Sequence, residues 1–176
     1  MRLMTDSTNW LIEKQATVSG LKSDMIFCPN DYTGFGTSAQ MQTLKQLPDS
    51  VSIIQTGGRV WGEVGPNFNE QFYSNMGRPA YMWINWPCSD NTKDGLIMGG
   101  AEAVLKPNVR PETVEGIVLN PMQQSEPSKE ALFTNADYAW NIGKKQVIMK
   151  SVAMNSFNYM IMELSKIHLL LSHYVN

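Results

Sequence analysis

The residues of this chain best equipped for chemistry sit at the ends of four apolar runs. Those ends read Cys28-Pro29-Asn30-Asp31-Tyr32, Gln55-Thr56-Gly57-Gly58, Trp83-Ile84-Asn85-Trp86-Pro87-Cys88-Ser89-Asp90 and Leu119-Asn120-Pro121-Met122. Each supplies an amide, a carboxylate or an aromatic ring. Alternate residues of a strand share a face, so Trp83 lies with Asn85, and Gly116 and Val118 lie with Asn120. If that face lines an interior, the two asparagines converge at one rim. Aromatic walls with Asn and Asp are how proteins hold sugars, because C–H faces stack on rings and hydroxyls need matched donors and acceptors. The plainer reading of Asn85, Asp90 and Asn120-Pro121 is turn chemistry after a strand. Tyr32 by itself divides evenly between site and packing.

Other chemistries find little support. Gly57-Gly58 and Gly99-Gly100 lack both the following Lys-Ser/Thr of a phosphate loop and the GxGxxG spacing, so they read as turns. His168 and His173 are the only histidines, and no metal-ligand spacing accompanies them or the two cysteines, so neither a metal nor another cofactor is expected. Cys28 and Cys88 are expected to be buried free thiols. The formal charge is −2, and Lys144-Lys145 is the densest basic spot. This balance argues against a nucleic-acid or anionic-membrane partner. The Leu169-Leu170-Leu171 run is far too short to span a bilayer. Met1 to Asp6 shows no apolar signal core, which leaves the compartment of the parent protein, secreted and cell-surface included, open.

The elements that must position these residues follow from the same pattern. Asp24–Pro29, Val51–Gly57, Ala80–Pro87 and Glu115–Pro121 are short, nearly continuous apolar runs, the mark of strands covered on both faces. Between them, helices are expected at Thr8–Ser19, Ser38–Leu47 and Asn67–Met76, the last two ended by Pro48 and Gly77. Weaker helices are expected at Ala101–Leu105 and Lys129–Trp140. Such alternation gives βα units and a parallel sheet. The 176 residues suffice for one globular unit but fall short of the roughly 250 of a complete (β/α)₈ barrel. Four strands would make a small open α/β sheet or half of such a barrel, and composition does not choose between these.

Longer motifs narrow the choice. WINWPCSD, KDGLIMGG and VLNPMQQSEPSKEALFTNADYAWN, with the earlier FCPNDYTG and IIQTGGRVWGEV, resemble glycoside hydrolase family 84, from about residue 20 to residue 145. That family holds β-N-acetylglucosaminidases, bacterial hyaluronidase-like enzymes and eukaryotic O-GlcNAc hydrolases. The resemblance implies an α/β fold, the C-terminal half (about strands five to eight) of a (β/α)₈ TIM barrel. It implies retaining hydrolysis in which the sugar's own acetamido oxygen attacks C1, served by two neighbouring aspartates. It further implies that Asn85 bonds near the N-acetyl group, that Asp90 takes O4 and O6, and that Asn120 takes O3. Tyr32 would lie beside the acetamido pocket, with Trp83 in its aromatic wall. Ile84 replaces a tryptophan of the family and should point away. Gln55 replaces another, which puts a sugar contact there in doubt.

The aspartate pair itself is absent: among sixteen acidic residues no two are adjacent. The resemblance therefore places the start of this chain just after strand four, with the missing N-terminal half of the barrel as its partner and no turnover expected from the chain alone. The expected division is residues 1–145 as partial barrel, 146–160 as a following helical segment, and 161–176 as an off-frame tail. One extra base after the Met160 codon, with suitable third bases, turns the tail into DHGTIEDSPSSLSLRE, which looks like the family. Two other functions compete with a hydrolase half: a non-catalytic carbohydrate-binding module, and a small α/β interaction domain.

Overall fold

The computed structural model describes residues 2–18, 20, 24–91, 95–97 and 101–140. The expected segments at 146–160 and 161–176 lie outside the described residues. Eight elements follow in chain order: α1 (Arg2–Thr17), β1 (Met25–Phe27), α2 (Ala39–Leu44), β2 (Val51–Gln55), α3 (Pro66–Met76), β3 (Ala80–Ile84), β4 (Val114–Leu119) and α4 (Ser125–Trp140). The four strands form one sheet in the order β1-β2-β3-β4, every neighbouring pair parallel. Helices and parallel strands in this order fit an open α/β sheet or an arc of a (β/α)₈ barrel.

Local chemistry sets the boundaries. Ser38 caps α2, its hydroxyl accepting from the Met41 amide at 3.3 Å. Pro66 stands in the first turn of α3, and Gly77 ends it in the left-handed conformation at φ 73. Four helices depart from expectation, α2 by ending at Leu44 where Leu47 is expected. α1 begins at Arg2, six residues early, and α4 begins at Ser125, four residues early. The four residues added to α4 bring no large apolar side chain, so apolar periodicity could not register them, whereas those added to α1 include Leu3 and Met4. The expected helix at 101–105 is only a 3₁₀ turn over Ala101–Ala103.

The core lies on one side of the sheet. Val51 and Ile53 of β2 and Ala80, Met82 and Ile84 of β3 pack against Met41 and Leu44 of α2 and Phe68, Phe72 and Met76 of α3. Each of these side chains larger than alanine contributes about 1.5–3 kcal/mol by leaving water. The other face carries Ile26, Tyr81, Trp83, Gly116 and Val118. There the Tyr81 ring lies over Gly116, where a Cβ would stand 2.6 Å from Cε2. Ile26 and Trp83 remain 48% and 37% exposed on this face, so it is only partly covered among the described residues.

Behind β3 and β4, a cavity of about 140 Å³ is lined by Val64, Ile84, Leu105, Ile117, Leu119 and Asn135, among others. Asn135 of α4 is 3% exposed, and neither amide atom has a hydrogen-bond partner among the described residues. A buried amide without partners costs about 1–3 kcal/mol. Asn135→Leu, filling apolar space instead, is expected to raise stability in urea denaturation by about 1–2 kcal/mol. Lower stability in the variant would count against this account.

Candidate functional site

The β3–β4 register builds the site. Trp83 pairs with Val118 and Ile84 with Leu119, so the next residues, Asn85 and Asn120, emerge side by side at the carboxyl ends of the two strands. The Ile84 carbonyl fastens the junction, accepting from the Trp86 amide at 2.8 Å and the Asn120 amide at 2.9 Å. Ile84 itself is 1% exposed and faces the helices, so the face opposite carries Trp83 and Asn85, as period two requires.

Three of the five expected site residues are joined by hydrogen bonds. Asn120 Nδ2 donates to Asn85 Oδ1 at 3.0 Å. Trp83 Nε1 donates to the same oxygen at 2.9 Å. Asn85 Nδ2 donates in turn to the Val60 carbonyl at 2.6 Å. The result is an aromatic plane beside two amides, the pairing that suits a sugar ring.

The other two residues are less directly attached. Tyr32 is half-buried in the loop after β1, and its carbonyl accepts from the Thr56 amide at 2.9 Å. That bond ties the loops after β1 and β2 together. Asp90 is exposed at the far end of the loop after β3, where it interacts with the Cys88 thiol. No hydrogen bond joins either Tyr32 or Asp90 to the asparagine pair among the described residues.

Val60, in the loop after β2, is a member of this cluster that no motif or period in the sequence singles out. Its carbonyl meets Asn85 because the chain folds back tightly between Thr56 and Val64. Gly57 and Gly58 both adopt φ 86, and a Cβ on Gly62 would stand 2.0 Å from the Thr56 carbonyl. The glycines were the available signal, and they are turn residues as expected. Gln55, where the family resemblance leads one to look for a sugar contact, turns the other way. It is fully buried on the helix side, with Nε2 donating to the Asp31 carbonyl at 3.3 Å.

The cysteines differ from expectation in one respect. Cys88 is a buried free thiol, but Cys28 is exposed, because its strand-end side chain turns away from the helices. Burial pushes the Cys88 thiol above its ordinary pKa. A backbone hydrogen bond from Asp90 works the other way, while the Asp90 carboxylate raises the value further by its hydrogen bond and its charge. A raised value keeps the unreactive thiol form to higher pH. Iodoacetamide at pH 8 is expected to alkylate Cys28 at least about tenfold faster than Cys88. Peptide mapping by mass spectrometry would show it, and equal rates would contradict it. No group of three or more potential metal ligands occurs among the described residues. No described helix is long and apolar enough to cross a membrane.

A family model described as beta-N-acetylglucosaminidase matches residues 1–171. The chain belongs to that family. Solved structures of the family's enzymes superimpose on it. CpGH84D is 35% identical, with a TM-score of 0.72 over 90% of this chain. An O-GlcNAc hydrolase of Thermobaculum terrenum, solved as a point mutant, is 25% identical, with a TM-score of 0.70 over 91%. CpGH84B, 22% identical over 85% with a TM-score of 0.71, shares the fold. The chain spans 26%, 36% and 27% of the length of those three proteins. A four-stranded arc is therefore a part of the family's barrel.

Proposed function

We propose that the parent enzyme hydrolyses β-linked N-acetylglucosamine with retention and substrate assistance. In this reading the present chain supplies sugar-binding loops and not the aspartate pair. The acetamido oxygen of the substrate takes the place of a protein nucleophile, an exception to the usual two-carboxylate retaining scheme. One carboxylate would orient the acetamido group and the other would protonate the leaving oxygen. Both belong to strands outside this sequence.

The observation that carries this reading is the convergence of Trp83, Asn85 and Asn120 at the carboxyl ends of adjacent strands, where barrel enzymes place their sites. Asn85 and Asn120 are assigned to the acetamido side and to O3. Trp83 and Tyr32 are assigned to the aromatic boundary, and Asp90 to O4 and O6. Asp90 stands apart from the pair, so its role requires a sugar that reaches across the loop.

The chain alone is expected to leave a chromogenic β-N-acetylglucosaminide intact and to bind N-acetylglucosamine weakly in calorimetry. Turnover by the isolated chain would refute the assignment of the acid to another segment. A non-catalytic carbohydrate-binding module is the second reading, favoured by the lack of any adjacent acidic pair in the sequence. It would be marked by sugar binding that no added barrel segment converts into hydrolysis.

A further inference from the structure

Asn85 has committed most of its hydrogen-bonding capacity to the protein. An amide oxygen has two lone pairs, and here one faces Trp83 Nε1 and the other Asn120 Nδ2. Of its two N–H groups, one is held by the Val60 carbonyl. Two of these partners admit a single amide orientation. The indole nitrogen can only donate and the Val60 carbonyl can only accept, so reversing the Asn85 amide would set donor against donor and acceptor against acceptor. The orientation is thus fixed from two independent elements, the strand β3 itself and the loop after β2.

We infer that Asn85, besides its own N–H toward the ligand, is a positioning residue, which orients Asn120 and the Trp83 indole for the sugar. This inference rests on the sugar-binding reading of the site. With Asn85 Oδ1 fixed, Asn120 must present Nδ2 to it. Asn120 Oδ1 then accepts from no described residue and is left as the acceptor for a ligand hydroxyl. Asn85 has no vacant oxygen lone pair and one remaining N–H, so toward a ligand it is a donor only. The pair therefore offers a fixed pattern, one amide N–H from β3 beside one amide oxygen from β4. An amino sugar supplies the matching groups, a carbonyl oxygen on its acetamido substituent and a neighbouring hydroxyl. Orientation held in advance spares the ligand the cost of ordering these groups.

The test uses the full chain, labelled with ¹⁵N, and two variants. In the absence of sugar, Asn85→Ala is expected to move the Trp83 indole N–H and the Asn120 side-chain amide resonances upfield, because both lose their acceptor. Asn85→Asp retains two acceptor oxygens and adds charge, so the same resonances are expected to move downfield, as charge-assisted bonds do. Titration with N-acetylglucosamine is then expected to show about tenfold or more weaker binding by Asn85→Ala. A merely structural role would lower stability without opposite shifts in the two variants. Asn120 and indole resonances that stay unmoved in Asn85→Ala would overturn the inference, even where the wild-type chain binds the sugar. Opposite shifts in the two variants, with a wild-type chain that binds no N-acetylglucosamine, would uphold the positioning and refute the sugar reading instead.

Discussion

Mixed with a polypeptide that carries the first four strands of a family barrel, this chain is expected to gain hydrolysis of a chromogenic β-N-acetylglucosaminide that neither piece shows alone. The expectation follows from what each piece would hold. The described chain brings Trp83, Asn85 and Asn120 together at one rim and has no adjacent acidic pair. A positioned general acid typically contributes about 10²–10⁴-fold, so its return should dominate the rate. In the reconstituted enzyme Asn120→Ala and Asp90→Ala are each expected to lower kcat/KM by about 10–100-fold, the loss of one or two hydrogen bonds to the substrate. Wild-type rates in both variants would remove these residues from the site. Failure to reconstitute a folded assembly in sedimentation and circular dichroism would be recognisable separately from failure of the chemistry.

Replacing Arg78 should have the largest effect on stability. Its guanidinium is buried, at 7% exposure, and follows the Gly77 cap of α3. Nη1 donates to the carbonyls of Leu47 and Pro48, at 3.2 and 3.4 Å. Nη2 donates to those of Asp49 and Val51, at 3.3 and 2.5 Å. Four carbonyls at the α2–β2 turn thus meet one side chain, whose planar fork can reach several acceptors at once, and of them that of Pro48 also accepts from the Val51 amide at 3.0 Å. The Asp49 carboxylate stands 4.0 Å away but is fully exposed, so the ion pair adds little. Arg78→Met keeps the apolar stem and leaves buried carbonyls without donors. A loss of about 3 kcal/mol is expected, read from the midpoint of urea unfolding. Arg78→Lys should recover only part of it, because one ammonium cannot serve four carbonyls. A midpoint within about 0.5 kcal/mol of wild type for Arg78→Met would show that water satisfies the turn.

The loop carbonyls also explain why Arg78 escapes a reading of the sequence. Gly77-Arg78-Pro79 looks like the polar end of a helix, and nothing local says that its charge points inward. The acceptors lie some thirty residues earlier, in a turn that leads into β2, which pairs with the β3 that Arg78 precedes. Gln55 is a similar case. A polar residue at a strand end suggests a rim position, yet the alternation set by Val51 and Ile53 turns Gln55 to the helix side.

The sequence by itself determined the element types, the parallel α/β class and the faces on which Trp83, Asn85 and Asn120 fall. Apolar runs covered on both sides, the Pro66 and Gly77 helix signals and the period of two are local properties, fixed by backbone geometry within a few residues. Only the tertiary structure decided that Asn85 and Asn120 share a hydrogen bond. That depends on β3 and β4 pairing in one register, with an irregularity between Ala80 and Tyr81 that shifts it. The capture of Val60 by Asn85 and the exposure of Cys28 were likewise decided there. These contacts join residues distant in the chain, and their geometry comes from how strands and loops pack rather than from any stretch of neighbours.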